Sequence, residues 1–222
     1  MYFQVKGLIL RSHVCGEADK SIIVFTDQWG KVSLVVPGAK KIKAKLAAAS
    51  EPVTETDFIV YAAHEQARPK VTGAKVMDHF TAVKNNWQSF VYAQYCAELC
   101  DALTPFNMEN GRKYELIART WKLLATARNP QRIIMAFSLR FLKLSGYSFV
   151  EYLNNHTPYL LPEEDFLIRK MAALSGEELD ADDTITAQRE QSVHRHISNY
   201  VGLYLQRPLK SLAFLRKMEC AV

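Results

Sequence analysis

The feature that most constrains this chain is a change of hydrophobic period close to Asp78. Before it, apolar residues alternate or fall in short runs; after it, they recur at every third or fourth position. A side-chain period of two belongs to strands and one near 3.6 to helices, so the two kinds of structure follow one another and do not interleave. In the first part, Val5 with Leu8, Ile9 and Leu10 makes one run, and Ile22 to Phe25 makes a second. Lys31 to Val36 alternates around Val32, Leu34 and Val36, and two segments rich in β-branched residues follow, Thr54 to Tyr61 and Lys70 to Met77. Turn residues divide them: CGEAD at 15–19, DQWG at 27–30, PG at 37–38, EP at 51–52 and RP at 68–69. Five short strands separated by turns predict a small β-barrel.

In the second part, Phe80, Val83, Trp87, Phe90 and Val91 keep helical spacing. So do Tyr114, Ile117, Trp121 and Leu124, then Ile134, Phe137, Phe141 and Leu144, and finally Val193, Ile197, Tyr200, Val201 and Tyr204. Each run has a polar opposite face, so these helices are expected to pack on one another. Breaks fall at Thr104–Pro105, Asn129–Pro130, Gly146 and Pro158 to Pro162. The reading is an α+β multidomain chain: a β-barrel over 1–78, then an all-α domain over 79–222. An SH3-like barrel is one topology that fits the strands. With 222 residues, 49% of them hydrophobic, there is enough apolar material for a substantial core. The acidic, apolar-poor stretch SGEELDADD at 175–183 is expected to be mobile.

Charge is uneven. The net value of +5 hides five lysines and no acid between Trp29 and Ser50, and eight acids against two bases between Glu163 and Asp183. No apolar stretch is long enough to span a membrane, and the N-terminus lacks the apolar region of a signal peptide, so a cytoplasmic protein is expected. The sequence holds no phosphate-binding GxxxxGK(S/T), no GxGxxG, no GxSxG and no HExxH, so no enzyme is expected. Glu17 and Asp19 are expected to cap a turn or pair with Lys20. Glu163, Glu164 and Asp165 follow Pro162 and precede an apolar run, which is the composition of a helix N-terminus. Four cysteines are scattered without a CxxC pair; Cys96 and Cys100 would share a helix face as buried thiols in a reducing compartment. Neither metal nor cofactor is expected.

GAKKIKAKLAAA at 38–49 places Lys40, Lys41, Lys43 and Lys45 within six positions, between two predicted strands. Pro37 and Gly38 open the segment and let backbone approach a ligand closely. Read from the residues, it is a nucleic-acid contact, a solvated loop, or a docking point for an acidic protein. Lysine binds phosphate as a point charge, giving salt-dependent, sequence-independent binding.

GEADK at 16–20, FT at 25–26, GK at 30–31 and PGAKK at 37–41, with KL at 45–46 and Pro52, resemble the N-terminal signature of the RecO family. LRFLKLSGY at 139–147 resembles a helix ending in L-G-Y in the middle of that family, and GLYLQRPLKSLAFLRKM at 202–218 resembles its close, with Gln206 where a glycine is usual. The resemblance implies an N-terminal OB-fold barrel followed by a helical domain. It implies binding of single- and double-stranded DNA, annealing of complementary strands and action with RecR, which together help RecA replace single-stranded DNA-binding protein (SSB). It also implies docking of the acidic, Phe-terminated SSB tail, and a bacterial protein that associates with the nucleoid when acting. Lys20, Lys31, Lys40 and Lys41 carry over as phosphate contacts, with Lys43 and Lys45 by proximity. Arg11 and Lys70 join them because they lie on or beside strands, and Trp29 is a candidate for base stacking. Arg140, with Lys143 one turn on, carries over as the SSB-tail site. Many members carry a four-cysteine zinc module after L-G-Y; here SFVEYLNNHTPYLLPEEDF holds no cysteine. This segment is therefore expected to be held by Phe149, Tyr152, Leu153, Tyr159 and Leu160. The rival reading is a basic-barrel adaptor that binds acidic proteins without touching DNA.

Overall fold

The computed structural model describes residues 1–40, 46–64, 68–156, 160–211 and 213–214. Its first part is five strands: β1 (Tyr2–Cys15), β2 (Asp19–Thr26), β3 (Gly30–Val36), β4 (Glu55–Tyr61) and β5 (Lys70–Asp78). They pair in the order β1-β2-β3-β5-β4, and β4 returns to β1, so the sheet closes on itself. All pairings are antiparallel except β3 with β5, a parallel contact registered at Val35 and Lys70 alone. This strand order agrees with the OB-fold that the resemblance implies.

Strand alternation sorts side chains to two sides. Val5, Ile9, Ile22, Val24, Leu34, Phe58 and Val60 fill the inside of the ring. Leu8, Leu10, Ile23 and Phe25 point outward, and they are buried because helices cover them. An irregularity between Ile9 and Arg11 shifts the β1–β2 register. A bulge re-aims side chains; this one brings both Leu10 and Arg11 to the helix side, Leu10 into the shared core and Arg11 onto α2 (Trp87–Leu103).

The helices are α1 (Thr81–Asn85), α2, α3 (Gly111–Leu124), α4 (Pro130–Leu144), α5 (Phe149–Asn155), α6 (Pro162–Ala173), α7 (Gly176–Asp180) and α8 (Ala187–Tyr204). The apolar run from Phe80 to Val91, expected to be one helix, is two. Asn86 leaves helical geometry and its side chain accepts the Ser89 N–H at 3.0 Å, capping α2. Trp87, expected on the packed face, is consequently 54% exposed. Asn110 caps α3 in the same way, and Pro130 opens α4, where its missing N–H costs no helix bond. Helix α4 is central, packed on α2, α3, α6, α7 and α8, with Ile133 to Leu139, Phe141 and Leu142 buried.

The segment after Gly146 is held by aromatic rings. Phe149 stacks on Tyr200 at 4.3 Å, Tyr152 lies 5.0 Å from Tyr200, and Tyr147 stacks on Tyr204 at 4.2 Å. Phe149 and Leu153 are buried, and Tyr152 and Leu160 pack against the core; Tyr159 lies outside the described residues. The stretch 175–183, expected to be mobile, forms α7 and its flanks. Ser175 and Glu178 make a reciprocal capping box, Glu177 takes two bonds from Arg119 at 2.9 and 3.0 Å, and Asp180 accepts the Arg128 and Asn129 N–H groups. These acids face cations and N–H groups of the helical part. Among the described residues no single helix is long and apolar enough to cross a membrane.

Candidate nucleic-acid interface

Three segments converge at one end of the closed sheet. The β1–β2 turn meets the start of the β3–β4 connection, where Asp19 accepts the Gly38 N–H at 2.8 Å and the Lys40 N–H bonds to the Ala18 carbonyl at 3.0 Å. The end of the β4–β5 connection joins them, where the Val35 N–H bonds to the Pro69 carbonyl at 3.0 Å beside the Val35–Lys70 pair. Asp19, expected to cap a turn or pair with Lys20, ties two loops together. Lys20 pairs instead with Glu51 at 3.0 Å. Lys40 and Lys70 are exposed and make no ion pair with another described residue, and Arg68 is exposed beside them with none either. By sequence Arg68 belongs only to a turn; its position, just before the fifth strand, becomes informative once the ring places that connection beside residues 37–40. Lys41, Lys43 and Lys45 lie outside the described residues.

Other expected contacts sit elsewhere. Lys31 is 5% exposed and points at α2, where its ammonium lies 3.2 Å from the Asp101 carboxylate and 2.5 Å from its carbonyl, with the Phe106 ring 4.5 Å away. Its expected role as a phosphate contact is corrected on that ground: the charge is buried and its donors are occupied. Arg11 shares Asp101, through Nε at 3.1 Å, and its side chain stays half exposed. Trp29 lies in the β2–β3 turn shaped by Thr26, whose hydroxyl accepts the Trp29 N–H and donates to the Gly30 carbonyl, each at 2.9 Å. Its ring meets Phe3 edge-on at 5.5 Å and packs partly on the core inside the ring. It is half-buried at the end of β2 away from Lys20.

A second basic region lies on the helices. A groove of about 740 Å³ and an adjoining one of about 320 Å³ share Arg140 and Lys143. Leu116, Leu123, Phe149 and Val150 supply apolar wall; Arg112, Arg119 and Arg169 line the grooves together with Glu115, Glu151 and Glu178, and Arg119 and Arg169 are paired with Glu177 and Asp165. Arg140 makes no ion pair with a described residue and reaches only the Met171 carbonyl, at 3.4 Å. Burial, and then the neighbouring Arg119, hold its pKa below the usual arginine value, while Glu177 and Glu178 oppose them. An anion entering this groove would relieve that strain on the charged form. Among the described residues no three His, Cys, Asp or Glu side chains gather as a metal site requires. Cys96 and Cys100 are buried on α2; burial pushes both thiols up, Cys100 to about 12, so neither offers a thiolate at neutral pH.

Comparison with known proteins bears on about the first two thirds of the chain. The chain is 27% identical over 147 residues to the DNA repair protein RecO of Alkaliphilus metalliredigens, an alignment covering 66% of this chain and 59% of that protein. It is 24% identical over 148 residues to the protein of the same name from Acetivibrio thermocellus, covering 66% and 58%. It is 29% identical over 142 residues to that of Clostridium perfringens, covering 64% and 57%. The chain thus spans less than three-fifths of the length of these curated relatives. The model of the recombination protein O N terminal matches residues 1–80 and that of the C terminal matches residues 85–150. Together these cover well over half of the sequence, and the chain belongs to the RecO family.

Proposed function

We propose that this chain is a DNA-repair mediator that binds single- and double-stranded DNA at the loop end of its sheet, anneals complementary strands and, with RecR, helps load RecA onto SSB-coated single strands. The observation that carries the reading is the convergence of Lys40, Arg68 and Lys70 on one end of an OB-ordered sheet. Loops at that end are where this architecture takes oligonucleotides, and the family relatives are named for DNA repair. Lys41, Lys43 and Lys45 add charge to the same connection. Lys20 contributes to the field of this end while held by Glu51.

Annealing needs no bond-making group. Two strands repel through their phosphates; a basic surface that displaces their counterions lowers that repulsion, and base pairing supplies the rest. The groove at Arg140 and Lys143 supports a second contact, with the acidic Phe-terminated tail of SSB: apolar wall for the ring, guanidinium for the carboxylate.

Titration of fluorescent single-stranded DNA at rising salt tests the proposal. Affinity is expected to fall linearly on a log–log plot, and Lys40→Glu/Lys70→Glu should make the slope shallower by about 0.7 per lost phosphate contact. No binding at low salt overturns the DNA reading and favours the adaptor. In the same assay Arg140→Glu should leave the titration unchanged while weakening capture of an acidic peptide ending in Phe; parallel loss of both refutes the assignment of the groove.

A further inference from the structure

We propose that the cleft where β1, α2 and the segment after α8 meet is a phosphate site, taking a backbone phosphate of single-stranded DNA that leaves the loop end of the sheet. The inference rests on the DNA-binding reading above and adds a second point of attachment, on residues outside that loop end. The cleft encloses about 220 Å³. Arg11 reaches it from β1, Glu98 and Asp101 from α2, and Arg207 and Lys210 from the segment after α8.

Both carboxylates are already engaged. Asp101 accepts from Arg11 and Lys31 at 3.1 and 3.2 Å, and one Glu98 oxygen accepts the Ser211 N–H at 3.0 Å and its hydroxyl at 2.7 Å. Three cations, Arg11, Arg207 and Lys210, line the cleft against two acids, and the buried Lys31 also faces Asp101, so the excess is positive. Arg11 is prepared for an anion. Asp101 meets it through Nε at 3.1 Å, and no hydrogen bond from its terminal nitrogens is made to another described residue. That fork suits two oxygens of one phosphate.

Arg207 and Lys210 are exposed and make no ion pair among the described residues, yet their backbone is anchored. Leu209 and Ser211 are each 6% exposed, and Glu98 holds Ser211. The cations are thus fixed opposite Arg11 and do not ride on a swinging tail. Arg11 also lies three residues along β1 from the Val14–Lys20 pair at the loop end, about 10 Å at the usual strand rise. His13, Ser33 and Val35 lie on the outward side of the strands between these points, and none is buried. A single strand can therefore pass from the lysines at the loop end to the cleft.

The test uses the full chain and fluorescent single-stranded oligonucleotides of about five and about thirty nucleotides. Arg207→Gln/Lys210→Gln should lower the log–log salt slope on the long oligonucleotide by roughly 1.4, two contacts at about 0.7 each, and leave the short one unchanged. Ser211→Ala, which keeps every charge but removes the shorter of the two bonds that hold the segment to Glu98, should weaken binding of the long oligonucleotide several-fold at unchanged melting temperature. If the wild type binds and the Arg207/Lys210 variant shows the same slope, the cleft is not a phosphate site and the loop end stands alone. If Ser211→Ala has no effect while the charge variant loses affinity equally on both lengths, only bulk charge is at work and the proposal falls. If the wild type binds neither oligonucleotide, the DNA reading falls with it.

Discussion

Asp101 takes Arg11 from β1 and Lys31 from β3 on its two carboxylate oxygens, so one side chain ties two strands to α2. Lys31 is 5% exposed, and removing its partner strands a buried ammonium. Asp101→Ala is therefore expected to cost about 3–5 kcal/mol, read from urea unfolding. Lys31→Met, which keeps the length and removes the charge, should cost far less, because Arg11 still neutralises Asp101. It should also leave the salt slope of DNA binding untouched; a shallower slope in Lys31→Met would return Lys31 to the phosphate contacts. The dipeptide Gly30–Lys31 was legible as a signature without its physical meaning. Gly30 has φ +65°, and a Cβ there would lie 1.9 Å from the Met108 carbonyl, so only glycine lets the α2–α3 connection approach. Lys31 points from the outer side of the ring onto α2 beside it because an acid 70 positions along waits on a helix. No local pattern carries that distance, which is why the match of Gly30–Lys31 to the family signature gave Lys31 to phosphate.

Among the elements, α7 was misread through composition. Its acids suggested a solvated, mobile segment, yet Ser175 and Glu178 stand at capping-box spacing, and that signal was in the sequence. What local sequence could not carry was the set of partners: Arg119, Arg128, Asn129 and Lys170 come from α3, the α3–α4 turn and α6. By contrast β3, β4 and β5 were readable to within a residue, since turn residues and alternation are both local, while β1 and β2 run several residues beyond the apolar runs that marked them. Just past α7, Asp182 is held by Lys170 at 2.6 Å and by the Thr184 hydroxyl and N–H, which together lower its pKa to about 2. A carboxyl whose folded pKa lies below its unfolded one stabilises the fold above the unfolded value, near 4, and loses that contribution as pH falls through the folded one. Asp182→Asn should thus melt below the parent at pH 7, with the gap closing between about pH 4 and pH 2 in circular-dichroism melts. A gap that stays constant across that window would mean the charge of Asp182 does no stabilising.

For the whole molecule, the change of period at Asp78 marks where strands give way to helices, while the hydrophobic core runs across it. Leu8, Leu10, Ile23 and Phe25 on the outside of the ring are buried among helical residues, each stabilising by about 1.5–3 kcal/mol. Lys6 and Tyr114 meet on Glu55, at 3.1 and 2.8 Å, and Lys84 reaches Thr54 at 2.8 Å. A fragment of residues 1–80 is accordingly expected to self-associate or to melt without cooperativity; a monomeric fragment with a sharp transition would show that the strands stand on their own. The pattern of outward apolar residues was in the sequence, but which face of the ring the helices cover depends on the order in which strands pair. That order leaves one joint thinner than the others, since β3 and β5 meet through Val35 and Lys70 and the neighbouring Pro69 carbonyl. The ring is least durable there, and the cations Lys40 and Lys70 stand on its two sides. A polynucleotide lying across them acts as a clasp on the joint, so the Val35 amide should exchange with deuterium more slowly when DNA is bound, and the ligand would complete mechanically the one seam that the strands leave almost open.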